Sequence, residues 1–206
     1  MTLPLTQPQV VTGATWLMAS CGPAIRAATA GKPYTPALVC AIACKETGFI
    51  WIPRSATMTA AALLPRLVGD ASGDIKGTSR RAFPRNTAAF RAKFGDVFTA
   101  MLIGEANQAR AMRGLPPAHI VYKGYGLFQY DLQHVLTDQP FFEERQWYTI
   151  EPCLARLTQV LERTFLAAGG DVHDGVRRYN GSGPAAETYA DHVLAYADWL
   201  MLSSGW

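Results

Sequence analysis

Residues 35–49, Thr-Pro-Ala-Leu-Val-Cys-Ala-Ile-Ala-Cys-Lys-Glu-Thr-Gly-Phe, constrain the fold more than any other segment. They read as one short apolar helix with a single carboxylate, Glu46, near its C-terminal end. Thr35 suits the N-cap, and Pro36 suits the first helical position, where a missing N–H costs nothing. Leu38, Ala41, Ile42 and Lys45 follow at helical spacing, and Gly48 is placed to stop the helix just beyond Glu46. An acid carried by an apolar helix is readily desolvated, and desolvation favours the protonated form that a general acid needs. A carboxylate that ends a core helix and meets water has the same local sequence, so the segment by itself leaves both readings open.

The remaining long segments repeat helical spacing. One stripe over about 9–30 is formed by Val10 or Val11, Ala14, Leu17, Met18, Cys21 and Ile25. A second helix over about 57–68 is interrupted by Pro65. A loop over 69–84 carries a basic tip at Arg80, Arg81 and Arg85. Asn86 caps a long helix to about Arg113 with the stripe Phe90, Phe94, Val97, Met101, Glu105, Gln108 and Met112. Glu105 thereby falls on an apolar face, with Arg110 or Arg113 as its neutralising partner, either as a functional acid or as half of a structural ion pair.

Glycines alternate with aromatics in Tyr122-Lys123-Gly124-Tyr125-Gly126-Leu127-Phe128-Gln129-Tyr130-Asp131, a pattern that lets backbone approach a ligand between flat rings. Ile150, Leu154, Leu157, Leu161 and Phe165 make another stripe. A short helix from about Val172 leads into Arg178-Tyr179-Asn180-Gly181. The last helix, about 184–202, aligns Tyr189, Val193, Tyr196 and Leu200. No alternating strand pattern of any length and no repeat occurs, so the class is mainly α, in one domain spanning 1–206.

The totals narrow the function. Hydrophobic residues make up 49% and charged residues 17% of the chain, which describes a globular core. A net charge of +3 with no recognisable base-stacking module argues against a nucleic-acid partner, even with the arginine cluster. No run of about 18 uncharged apolar residues is present, so no membrane span is expected. The four cysteines and four histidines share no ligand spacing, so neither a metal nor another cofactor is expected, and the thiols default to free and buried. Residues 1–11 lack the basic and apolar regions of a secretory signal.

Three blocks, in order, resemble the goose-type lysozymes and the related soluble lytic transglycosylases. They are Ala43-Cys44-Lys45-Glu46-Thr47-Gly48-Phe49, then Gly124-Tyr125-Gly126-Leu127-Phe128-Gln129-Tyr130-Asp131, then Arg178-Tyr179-Asn180-Gly181 followed by Tyr189-Ala190. The resemblance covers about 34–49 and 121–197, with Phe128 where the family usually has Met. It implies a lysozyme-like helical domain with a helical insertion, about 51–120, between the catalytic-Glu helix and the Gly-Leu-Phe-Gln segment. The activity it implies is cleavage of the β-1,4 bond between N-acetylmuramic acid and N-acetylglucosamine in peptidoglycan. Glu46 aligns with the catalytic acid, Gln129 with a cleft-lining glutamine, and Tyr179, Asn180 and Tyr189 with residues around the acid. Tyr125 belongs to the same cleft-lining block.

Asp131 matches an aspartate that positions the attacking water in goose-type enzymes. The further aspartate that those enzymes carry upstream is missing here, since 115–123 contains no acid. Glu105 then stands as an alternative base. Inverting hydrolysis requires two carboxyls about 6.5–9.5 Å apart, whereas a lytic transglycosylase needs one. A module that binds glycan without cutting it has the same fold, because fold does not fix chemistry. Among Trp51, Trp147 and Trp199, Trp51 is the best candidate for stacking on a sugar, because it closely follows the acid. The implied substrate lies in the periplasm or cell wall, which together with the missing signal suggests release by phage-type lysis or delivery by a secretion machine, with a delivery partner or cognate inhibitor.

Overall fold

The computed structural model describes residues 2–69, 71–77 and 82–203, so Arg80 and Arg81 of the expected basic tip lie outside the described residues. Among the described residues the chain forms eight α-helices and one two-stranded sheet. The mainly helical class expected from the sequence is what is found. The chain divides into two compact units, Met1–Ala60 with Leu154–Trp206, and Ala61–Cys153. The expected insertion, 51–120, therefore begins in the first unit, and its remainder shares the second unit with the Gly-aromatic block.

In the first unit, α1 (Gln7–Thr29) and α2 (Pro36–Trp51) pack on one another and on α8 (Pro184–Met201), and α7 (Val172–Asn180) packs on α8. Thr35 caps α2 by accepting from Leu38 N–H at 3.2 Å. Gly48 does not stop the helix as the sequence suggested; α2 continues to Trp51. A side chain at Gly48 would meet Leu5 Cδ1 at 2.9 Å and Ile52 Cδ1 at 3.1 Å, so glycine serves close packing there. Val39, Cys40, Ala41, Ile42 and Ala43 are all fully buried, which makes α2 the core of this unit. The stretch Pro36–Arg54 is long and apolar enough to cross a membrane by length and composition, although it carries Lys45 and Glu46; 67% of its most apolar window is buried inside the structure. Most of α6 (Ile150–Ala167) belongs here too, and its expected stripe, Ile150, Leu154, Leu157, Leu161 and Phe165, is buried throughout.

In the second unit, the expected helix over 57–68 reduces to the short α3 (Ala60–Leu63), which starts at the unit boundary, and a 3-10 turn at Leu64–Arg66. Asn86 caps α4 (Thr87–Met112) by accepting from Ala89 N–H at 2.8 Å. The long stripe expected along α4 holds at Phe90 and Glu105 but fails at Val97 and Gln108, which are exposed. Gly95 has a non-helical backbone (φ 81°, ψ 174°) that breaks the helix and resets its phase. Val97 is consequently 88% exposed, and the buried face continues through Phe98, Leu102, Glu105 and Ala109. Two strands, β1 (Gly124–Tyr125) and β2 (Tyr130–Asp131), pair antiparallel, with Gly124 opposite Asp131. Beyond β2, a 3-10 turn (Leu132–Leu136) and α5 (Gln139–Glu143) complete an aromatic core around Tyr125, Phe141, Phe142 and Trp147.

Candidate active site

The carboxylate of Glu46 sits half-buried on α2, and the hydroxyl of Tyr189 on α8 donates to its Oε1 at 2.6 Å. The α7–α8 turn brings a second phenol to the same place. Gly181 (φ 132°) ends α7 and Gly183 (φ 79°) starts α8, conformations that glycine adopts without penalty. The two helices then pack together, and the rings of Tyr179 and Tyr189 lie 6.0 Å apart, tilted by 37°. Burial raises both phenols well above their ordinary range, and the Glu46 carboxylate pushes them further. Both hydroxyls accordingly stay protonated at neutral pH and remain donors. Asn180 is the last residue of α7 and is exposed.

Two residues that sequence reasoning passed over complete this cluster. Lys45 Nζ lies 3.1 Å from His192 Nδ1 and 5.7 Å from the centroid of the Tyr189 ring. An ammonium only donates, so the buried His192 accepts through Nδ1 and carries its proton on Nε2. Burial, and then Lys45, lower the His192 pKa, with Asp191 opposing. Burial lowers Lys45 as well, with Glu46 opposing. His192 was legible in principle. It stands three residues after Tyr189, on the same helical face, but isolated histidines show no such pairing in sequence.

Of the remaining predicted site residues, Tyr125, Gln129, Asp131 and Glu105 lie in the second unit and Trp51 in the first. Gln129 has a left-handed backbone (φ 52°) and closes the β1–β2 hairpin, its N–H donating to Gly126 O at 3.1 Å. Its side-chain amide donates to Gly126 O at 2.9 Å and Leu67 O at 3.2 Å. A Cβ on Gly69 or Gly124 would come within 2.0 or 2.2 Å of Gln129 Oε1, so the two glycines make room for that amide. Asp131 caps the following 3-10 turn, with Oδ1 accepting from Gln133 N–H at 2.8 Å. Tyr125 is fully buried, edge-on to Phe142 and Trp147, and its hydroxyl has no hydrogen-bond partner among the described residues.

Glu105 is buried but not neutralised by Arg110 or Arg113, as its sequence neighbourhood suggested. Arg145 Nε donates to Oε1 at 2.7 Å, and the Tyr148 hydroxyl donates to Oε2 at 2.6 Å. Burial, and then the Glu105 contact, push the Tyr148 phenol up to about 12. Arg145 reaches this position through a left-handed backbone (φ 55°), a conformation no sequence pattern announces. Trp51, expected to stack on a sugar, is 1% exposed and stacked on Trp16 at 5.5 Å, so it offers no free face.

Among the described residues, no group of three or more His, Cys, Asp or Glu side chains is arranged to hold a metal ion. The groups around Glu46 suit proton transfer: one carboxylate, two phenols that remain protonated, and the Lys45 side chain beside them. Comparison with family models, with curated proteins and with solved structures gave no match to this chain.

Proposed function

We propose that the chain is a lysozyme-like, peptidoglycan-cleaving glycosidase acting on the β-1,4 bond between N-acetylmuramic acid and N-acetylglucosamine. In this reading Glu46 is the general acid, passing its proton to the leaving glycosidic oxygen as the bond to C1 breaks. The observation that carries the reading is the 2.6 Å bond from Tyr189 to Glu46, with the Tyr179 ring beside it. The acid block and the Tyr189-Ala190 block, which the resemblance assigned to one cleft, lie 143 positions apart in the chain at that contact. Tyr189 holds the carboxylate in place through Oε1.

A second reading, lytic transglycosylase, draws support from the other two carboxylates. Glu105 already holds Arg145 and Tyr148, and Asp131 already caps a turn. If neither serves as a base, Glu46 alone does both jobs. It protonates the leaving oxygen, then takes the proton of the muramyl C6 hydroxyl as that oxygen attacks C1, giving a 1,6-anhydro end with no water consumed. The work would be done in the periplasm or cell wall, with glycan strands as partner and a delivery partner or inhibitor to control access.

The test is digestion of purified peptidoglycan, read first as loss of turbidity and then by mass spectrometry of the fragments. Reducing ends support hydrolysis, and ends lighter by one water support the transglycosylase. Undegraded peptidoglycan under both readouts would refute the enzyme and leave a glycan-binding module.

A further inference from the structure

Helix α2 is covered almost completely: from Ala37 to Trp51, every residue is buried except Lys45, Glu46 and Phe49. These three form one window. Phe49 stands three residues after Glu46 and four after Lys45, spacings that put all three side chains on one face of the helix. It lies about 4.5 Å further along the helix axis than Glu46. Gly48 and Ile50 on either side are buried, yet Phe49 is 60% exposed. A phenyl ring has no polar group for water to solvate, so holding it open beside the candidate acid forgoes burial that its neighbours obtain.

We propose that Phe49 is a stacking platform for an N-acetylhexosamine ring of the glycan, next to the bond that Glu46 faces. Phenylalanine can contribute only its flat apolar face and edge. A pyranose ring presents a matching face of C–H hydrogens, whereas its hydroxyl groups point outward to other donors and acceptors. The window then offers each part of such a ligand a partner: C–H face to Phe49, glycosidic oxygen to Glu46, and acetamido or hydroxyl oxygens to the Lys45 ammonium. This assignment rests on the glycosidase reading for its ligand, but it concerns binding and is separable from the chemistry. Phe49 takes the place expected for Trp51, whose ring is closed off against Trp16.

The test uses the full chain carrying Glu46→Gln, which keeps an acceptor for Tyr189 and prevents turnover. Binding of a soluble N-acetylglucosamine hexamer is measured by titration calorimetry for this parent and for added Phe49→Ala, Phe49→Leu and Phe49→Trp changes. Loss of the ring weakens binding about three- to ten-fold in the Ala and Leu variants. The Trp variant binds as tightly as the parent or better, and all four melt at the same temperature. Leu equal to Phe, no loss in the Ala variant, or no hexamer binding by the parent would each overturn the proposal. So would Phe49-dependent self-association on sizing, which would make the ring a contact between copies. Turnover by the unsubstituted protein is scored separately. Cleavage with Phe49-independent binding sinks the platform alone, and Phe49-dependent binding without cleavage sinks the acid alone.

Discussion

Removing the guanidinium that faces Glu105 should unfold the second unit more readily, by an amount the local geometry bounds. The Glu105 side chain is 6% exposed and holds two short bonds, 2.7 Å to Arg145 and 2.6 Å to Tyr148. Deleting one partner of a fully buried pair costs about 3–5 kcal/mol, because the other charge stays behind without compensation. The Arg145 side chain is 40% exposed, so water screens part of the attraction and could reach the vacated edge. That lowers the expectation for Arg145→Ala to about 2–3 kcal/mol. Backbone strain supplies an internal control. Arg145 and its Ala replacement share the left-handed backbone, which costs a residue with a Cβ about 1–2 kcal/mol and costs glycine nothing. After glycine's extra chain entropy, Arg145→Gly should recover about 0.5–1 kcal/mol relative to Arg145→Ala. Urea unfolding followed by far-UV circular dichroism gives both differences from the shift in midpoint. Wild-type stability in Arg145→Ala, or Gly no better than Ala, would show that Glu105 is not held as described.

Three further outcomes follow from the same geometry. If Glu105 and Asp131 are structural, Glu105→Gln and Asp131→Asn each cleave peptidoglycan at near wild-type rate; a fall of about 100-fold or more in either variant would assign that residue as the base. Because the folded-state pKa of His192 is lowered from 6.5, its contribution to stability is present above pH 6.5 and is lost as pH falls through the folded value. The melting temperature should therefore drop on mild acidification and drop less in His192→Asn, and identical pH profiles would refute the pairing with Lys45. Burial pushes the Cys44 thiol up to about 12 and raises Cys40 as well, and all four cysteines are buried thiols outside any disulfide. A disulfide-exchange reagent should then find no reactive thiol in the native protein and all four in denaturant; rapid native labelling would contradict the packing of α2.

How far the sequence could be read depended on whether the determinant was local. The stripes of α6 and α8 were legible because helical spacing alone decides which side of an uninterrupted helix is buried. The α4 stripe misled at Val97 and Gln108, though not at Glu105, since one non-helical residue at Gly95 shifts the helical phase while leaving the composition untouched. Gly48 misled in the opposite sense: the signal that ends helices also permits the close approach of Leu5 and Ile52. In the candidate site, Glu46, Tyr179 and Tyr189 were legible through motif order. Lys45 with His192, and Glu105 with Arg145, were not, because both pairings join distant chain positions through geometry that no spacing rule carries. Phe49 was quoted within a motif, but its exposure became visible only when every neighbour on α2 proved to be buried.

The role proposed for Glu46 is transfer of a proton to a glycosidic oxygen of peptidoglycan. It is tested most directly by measuring soluble muropeptide release from purified peptidoglycan by the wild-type protein and by Glu46→Gln, with both confirmed to melt alike. The expected result is steady release by the wild type and at least a ~100-fold loss in the variant, whose amide preserves an acceptor for Tyr189 but cannot serve as a general acid. Release at the wild-type rate by Glu46→Gln would contradict it.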